Sequence, residues 1–181
     1  MLTVKKLDSN LIEDFLKLHS KEQGAEWCNC VAWWVPTWEG WDARTMEENR
    51  QLREALFQKS EFDGYLLFED NVPIGWCQAC IKNRLPKLSR QFPSSETTGT
   101  YAISCFFIAP EKRRTGMAAF LLQEILKDLK SNGVERVEAY PKAERDLPAD
   151  EAWLGPIDLF IDAGFSPFIT GTDSRVYLKV L

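Results

Sequence analysis

The chain has 181 residues and a single histidine, His19. That leaves little for a histidine-rich metal centre or for a nucleophile with an imidazole base. Its five cysteines are an odd number, which argues against the paired disulfide framework of a secreted scaffold. No apolar run approaches the ~20 residues that a membrane span requires. The opening MLTVKKLDSN has no long apolar core of a secretion signal, so a cytoplasmic protein with no membrane partner is expected. Cations are in the minority: 22 Lys and Arg against 27 Asp and Glu give a net charge of -5. General nucleic-acid binding is therefore not expected. Neither G-x-x-x-x-G-K-[ST] nor G-x-G-x-x-G occurs, which excludes the P-loop and the dinucleotide fold. Without repeats or low-complexity linkers, residues 1–181 read as one domain, long enough for a core that needs no disulfide or metal.

What is present is alternation of strands and helices. LTVKKL reads as a short strand, and DSNLIEDFLKLHS as a helix capped by Asp8 or Ser9, with Leu11, Ile12, Phe15 and Leu18 on its apolar face. EWCNCVAWWVPTWEGW has no period and holds five of the seven tryptophans. A second helix begins at Thr45, whose spacing to Glu48 is that of a capping box. GYLLFEDNVPIGWCQACI predicts two antiparallel strands turning at Asp70 and Asn71. KNRLPKLSRQFPSSE reads as an exposed basic loop, in which Lys82, Arg84, Lys87 and Arg90 serve solubility or guide an anion. TYAISCFFIA is apolar on both faces and suits a central strand. From Gly116 to Lys130 the apolar residues keep helical spacing until Asn132 and Gly133. VERVEAYP gives a further strand, AWLGPIDLFIDAGF a short helix, and SPFITG with SRVYLKVL a closing hairpin.

Three consecutive cations, Lys112, Arg113 and Arg114, stand where the strand CFFI turns into the helix GMAAFLLQEILKDLK. A helix N-terminus offers unpaired N–H donors and the positive end of a dipole. Gly116 lets the backbone approach a ligand, Ala118 and Ala119 leave room above the first turn, and arginine forks match phosphate oxygens. A solvated turn whose cations oppose nearby acids would look the same on these grounds alone.

Arg113-x-x-Gly116-x-Ala118, after Pro110 and an apolar strand, resembles the acyl-CoA pyrophosphate loop of the GNAT superfamily of N-acyltransferases. The order of elements is similar along nearly the whole chain. VPIGW stands where the family has its hairpin before the CoA strand, and FIDAGF resembles its last helix. WCNC, GWCQA, CFFI and EAYP resemble a bacterial subgroup. The resemblance implies a mixed α/β (α+β) fold, with a largely antiparallel twisted sheet of about six to seven strands and about four helices. It implies that acetyl-CoA is the acyl donor. Backbone groups around Phe107 and Ile108 would pair with the pantetheine arm, and the amides of Arg114, Thr115, Gly116, Met117, Ala118 and Ala119 would cradle the diphosphate. Arg113 or Lys112 would reach the adenosine phosphate. The partner would be a small-molecule or peptide amine, acetylated by direct attack in a ternary complex.

Acyl transfer to an amine needs a neutral amine, a stabilised thioester oxygen and a proton for the leaving thiolate. In the family, a backbone N–H of the CoA strand polarises the thioester, here near Ile108. The sequence departs from the family at the acid: Phe160 stands at the usual tyrosine position, and Trp153 near that of an asparagine. Tyr140 is the substitute expected for the acid, with Glu138 on the same strand face as a base. The alternative is structural: Glu138 as a solvated or salt-bridged strand acid and Tyr140 as a half-buried packing residue, the commoner role of such residues. The departure leaves an alternative, a catalytically inactive CoA-binding or ligand-sensing module. Trp33, Trp34 and Trp38, with Trp27 and Trp41, line an acceptor pocket, pack a loop onto the core, or serve a homodimer contact. Cys28-x-Cys30 and Cys77-x-x-Cys80 invite a zinc site, but Cys77 and Cys80 in a strand face opposite sides, so no metal is expected. His19 reads as a surface or capping residue at a helix end.

Overall fold

The structure is a computed structural model, and it describes residues 1–93, 99–142, 148, 151–169 and 175–181. Seven strands form one sheet in the order β1-β2-β3-β4-β5-β7-β6: β1 Leu2–Lys6, β2 Tyr65–Glu69, β3 Val72–Ile81, β4 Thr100–Ile108, β5 Arg136–Ala139, β6 Ser166–Ile169 and β7 Arg175–Val180. All neighbours pair antiparallel except β4 and β5, which are parallel. Six helices are described: α1 Ile12–His19, α2 Gln23–Cys28, α3 Met46–Gln58, α4 Pro86–Gln91, α5 Met117–Ser131 and α6 Ile157–Asp162. This is the mixed, largely antiparallel α/β arrangement expected, with two more short helices. The turn between β6 and β7 lies outside the described residues, as does the end of the basic loop.

Local chemistry accounts for the elements. Asp70 and Asn71 both take positive φ (48° and 67°), the left-handed pair that closes a two-residue hairpin between β2 and β3. Asp8 accepts the N–H of Asn10 at 2.8 Å, and Thr45 and Glu48 exchange capping-box bonds at the start of α3. β4 is central and buried, and its alternation sorts the core. Phe106 and Ile108 face α5 and α6, with Leu121, Leu122, Ile125 and Phe160. Cys105 and Phe107 face α1 and α3, with Phe15, Leu18 and Trp76. Leu121, Leu122 and Ile125 are fully buried, each worth roughly 1.5–3 kcal/mol. Among the described residues no helix is long and apolar enough to cross a membrane.

The predicted exposed basic loop is a correction. It folds into a 3₁₀ turn and α4, and it buries Lys82 and Lys87. Lys82 reaches Glu138 at 2.6 Å and the Phe92 carbonyl at 2.7 Å, Arg84 pairs with Asp63, and Arg90 donates to the Pro36 carbonyl. Tertiary partners far along the chain take up these cations, and a composition-based reading of a loop cannot see them.

Candidate active site

The sheet opens where a ladder ends. β4 and β5 pair from Thr100–Arg136 to Ile103–Ala139 and then diverge. A bulge against β3 falls at the same level, between Gln78 and Ala79. Trp33 sits in the opening and donates its indole N–H to the Ser104 carbonyl at 3.0 Å. Beyond Ser104, β4 has no strand on that side among the described residues. The Ala109 N–H is bonded to Ile74 of β3 (2.9 Å), while the Ile108 carbonyl accepts from Arg113 Nε at 2.9 Å. A strand residue points its N–H and C=O to the same side, so the main-chain groups of Ile108 and Phe106 turn away from β3.

That edge borders a cleft of about 920 Å³, the upper range of small-molecule sites. Its second wall is the start of α5. Gly116 has φ +83° and Arg114 φ +61°, and Gly116, at the N-cap position, supplies no side-chain cap. The Phe120 N–H is the first to find a carbonyl of its own turn, that of Gly116. The N–H groups of Met117, Ala118 and Ala119 therefore precede the helix ladder, directed at the cleft that these residues line.

The cations of the turn differ in role. Lys112 is paired with Glu69, and Arg113 is clamped by both oxygens of Glu22 while its Nε holds Ile108. Arg114 is exposed and makes no hydrogen bond or ion pair among the described residues. Arg113 and Lys112 are thus engaged as structural ties, and the free fork is that of Arg114. The Glu22 contact spans 91 residues and carried no sequence signal.

Of the tryptophans, Trp27, Trp38, Trp41 and Trp153 line the far end of the cleft; Trp33 is buried behind them, and Trp34 is stacked on Phe62. Trp33 and Trp34 therefore do not reach the cleft surface as expected, because the open sheet and the Phe62 cluster absorb them. Cys28, Cys30 and Cys105 also line the cleft, and all five cysteines are free thiols. Burial pushes the Cys28 thiol up to about 12.

Tyr140 and Glu138 are brought together, but away from the cleft. Both are buried, Tyr140 donates to Glu138 at 2.8 Å, and neither is among the cleft-lining residues. Burial, then the neighbouring carboxylate, holds the phenol well above its usual range. Phe160 is fully buried between Phe106 and Phe165. His19 is also buried, not at the surface as read from its place at a helix end. Its Nδ1–H donates to the Phe15 carbonyl at 2.8 Å, which leaves Nε2 to accept from Cys30 Sγ at 3.2 Å.

Comparisons with known proteins bear on the family and the fold. The model of the acetyltransferase (GNAT) family matches residues 27–154. The PaiA N-acetyltransferase of Thermoplasma acidophilum in complex with coenzyme A superposes with a TM-score of 0.59 at 14% identity, covering 100% of this chain and 99% of that one. The ribosomal-protein-S18-alanine N-acetyltransferase of Escherichia coli gives 0.56 at 14% identity, over 100% and 93%. The aminoglycoside acetyltransferase AAC(6')-Ib in complex with coenzyme A gives 0.60 at 14% identity, over 99% and 95%. No curated protein matches the chain significantly in sequence.

Proposed function

The chain belongs to the acetyltransferase (GNAT) family, and from that premise we propose that it moves an acetyl group from acetyl-CoA to the amine of a small molecule or peptide by direct attack in a ternary complex. The observation that carries the reading is the meeting of two backbone surfaces in one cleft: the β4 edge, where the Phe106 main chain and the Ile108 N–H turn away from β3, and the start of α5, whose first N–H groups precede the helix ladder. The first suits the amide-bearing pantetheine arm, the second a diphosphate. Arg114 adds the free guanidinium, while Arg113 and Glu22 hold the turn in place. Bound acetyl-CoA supplies the activated acyl thioester.

The chain's own contribution is positioning and electrostatics. The Ile108 N–H, facing the cleft, is the donor for the oxygen that gains negative charge. The one carboxylate lining the cleft, Glu22, is engaged by Arg113, so no free base stands there among the described residues. The amine, with a pKa near ~10 as for lysine, loses its proton to solvent before attack. Acid and base roles for Tyr140 and Glu138 are not part of this proposal, since their burial against Lys82 keeps them from a substrate. The acceptor end is aromatic, which favours amines carried on an apolar or aromatic body. The sequence-based expectations of one acyl-CoA domain over residues 1–181 and of a cytoplasmic bacterial setting go with this reading.

The test is calorimetry with acetyl-CoA followed by thiol-detected CoA release over a panel of amines. Binding with turnover that rises tenfold per pH unit below the amine's pKa supports the proposal. Binding without turnover of any amine favours a CoA-binding module, and absence of binding removes the reading altogether.

A further inference from the structure

Lys87 is a cation in an unusual place. It sits on the short helix α4, is 3% exposed, and its ammonium has no hydrogen-bond partner among the described residues. Three indoles surround it instead. Nζ lies 3.1 Å from the ring centroid of Trp38, 5.2 Å from that of Trp41 and 5.7 Å from that of Trp33. Trp38 is fixed by a bond from its Nε1 to Gln91 Oε1 at 2.9 Å, one turn along the same helix, and meets Trp33 edge-on at 5.2 Å.

Trp38 and Trp41 line the acceptor end of the cleft and Lys87 does not, so the indoles separate the ammonium from the cleft. No carboxylate offsets this charge from the cleft side among the described residues, since Glu22 is engaged by Arg113. A charge stripped of water acts over a longer reach than a solvated one. A cation on one face of a ring also draws π density toward itself, which leaves the opposite face poor for a second cation.

We propose that Lys87 sets the charge of the acceptor: held behind Trp38, it makes the aromatic end of the cleft select amines whose body is neutral or bears a carboxylate, and reject those bearing a second cation. The inference rests on the reading that this end takes the acceptor, and it adds the substrate's charge class.

The charge is itself removable. Burial lowers the Lys87 ammonium to about 8. The titratable group acting on it, Cys28, stays neutral in that range with its thiol pushed up to about 12, and Arg90 on the same helix is turned to the Pro36 carbonyl. The aromatic groups that face its ammonium among the described residues are the three indoles. Selectivity should therefore fade between pH 7 and 9 in the wild type.

The test compares three amines of one length: an arylalkylamine, its α-carboxylate analogue and a diamine. Wild type, Lys87→Met and Lys87→Arg are measured for KM and kcat. Lys87→Met should change the KM ratio of diamine to carboxylate amine by about tenfold, with the effect in KM rather than kcat. Lys87→Arg should keep the wild-type ratio at pH 7 and retain it at pH 9, where the wild type loses it. Equal KM changes for all three amines in Lys87→Met, or lost selectivity in a folded Lys87→Arg, overturn the proposal. If none of the amines is turned over, quenching of tryptophan fluorescence by the same amines in CoA-loaded protein gives the ratio from Kd. Binding without charge selection then overturns only the role of Lys87, whereas no binding of any amine overturns the acceptor reading and this proposal with it.

Discussion

Tyr140 donates its phenolic hydrogen to Glu138 Oε2 at 2.8 Å, and Lys82 closes on the same oxygen at 2.6 Å, all three side chains lying in the core. The group sits at the end of β5, beside the point where β5 leaves β4. Its place in the fold is that of a buried tie between the divergent strand and the turn that precedes α4. Removing the phenol with Tyr140→Phe leaves the carboxylate with one donor fewer, at a cost of about 1–3 kcal/mol. Lys82→Met leaves a buried carboxylate without its counter-charge, worth roughly 3–5 kcal/mol. Denaturant melts should show both losses, while folded Tyr140→Phe acetylates within a few-fold of wild type. A hundredfold fall in kcat at unchanged stability would instead make Tyr140 the acid.

The two neighbouring arginines separate positioning from binding. Arg114 has no protein partner among the described residues, so Arg114→Ala should leave the melting temperature nearly unchanged. It should weaken coenzyme A about tenfold, as expected for one lost charge-assisted contact. Arg113→Ala unties Ile108 and Glu22 together and should lower stability as well as affinity. Glu22→Gln should reproduce part of that loss without removing any cation from the cleft. Calorimetry beside thermal melts reads both quantities. Equal behaviour of the two arginine variants would contradict the division of roles.

What the sequence made legible follows from the range of the interactions. The capping box of Thr45 and Glu48, the Asp70–Asn71 turn, the apolar stripe of α5 and the Gly116 loop are all set within a few residues of chain. Pattern alone finds them. α2 and α4 are six residues each, too short for a period to emerge, and their segments read as irregular. The buried cations were invisible for a different reason. Lys82 is neutralised by Glu138 and Lys87 is housed by Trp38, and neither partner lies nearby in sequence. The same holds for His19, whose place at a helix end suggests a cap but whose ring is stacked on Phe107 at 5.3 Å.

Gly116 offers a sharper view of the proposed diphosphate site. Its φ of +83° is one that side chains rarely adopt, yet a Cβ built there meets no atom within 4 Å. Gly116→Ala should therefore cost only about 1–2 kcal/mol through backbone strain. The added methyl stands in the open space before α5, where the backbone must approach the ligand. Affinity for coenzyme A should fall by more than the stability loss accounts for. If affinity is unchanged while stability drops, the diphosphate does not sit over this turn.

His19 supplies a pH signature. Burial lowers its imidazole from 6.5 to about 3, against the opposing bond to the Phe15 carbonyl. The unfolded chain takes up this proton near pH 6.5, whereas the folded chain resists it until near pH 3. Stability from this group is therefore complete above pH 6.5 and is lost as pH falls toward 3. Exposed carboxylates such as Glu47 and Glu48 are held below their usual value by Gln51 and by the Thr45 backbone, so they contribute little above pH 5. The clean window is pH 6.5 to 5, where His19 should cost about 2 kcal/mol. His19→Phe keeps a ring against Phe107 but cannot titrate. Its stability should start lower at neutral pH, through the lost bonds to Phe15 and Cys30, and then stay level across that window. Urea melts at half-unit pH steps compare the two proteins. Parallel curves would mean that His19 is not held neutral by the fold.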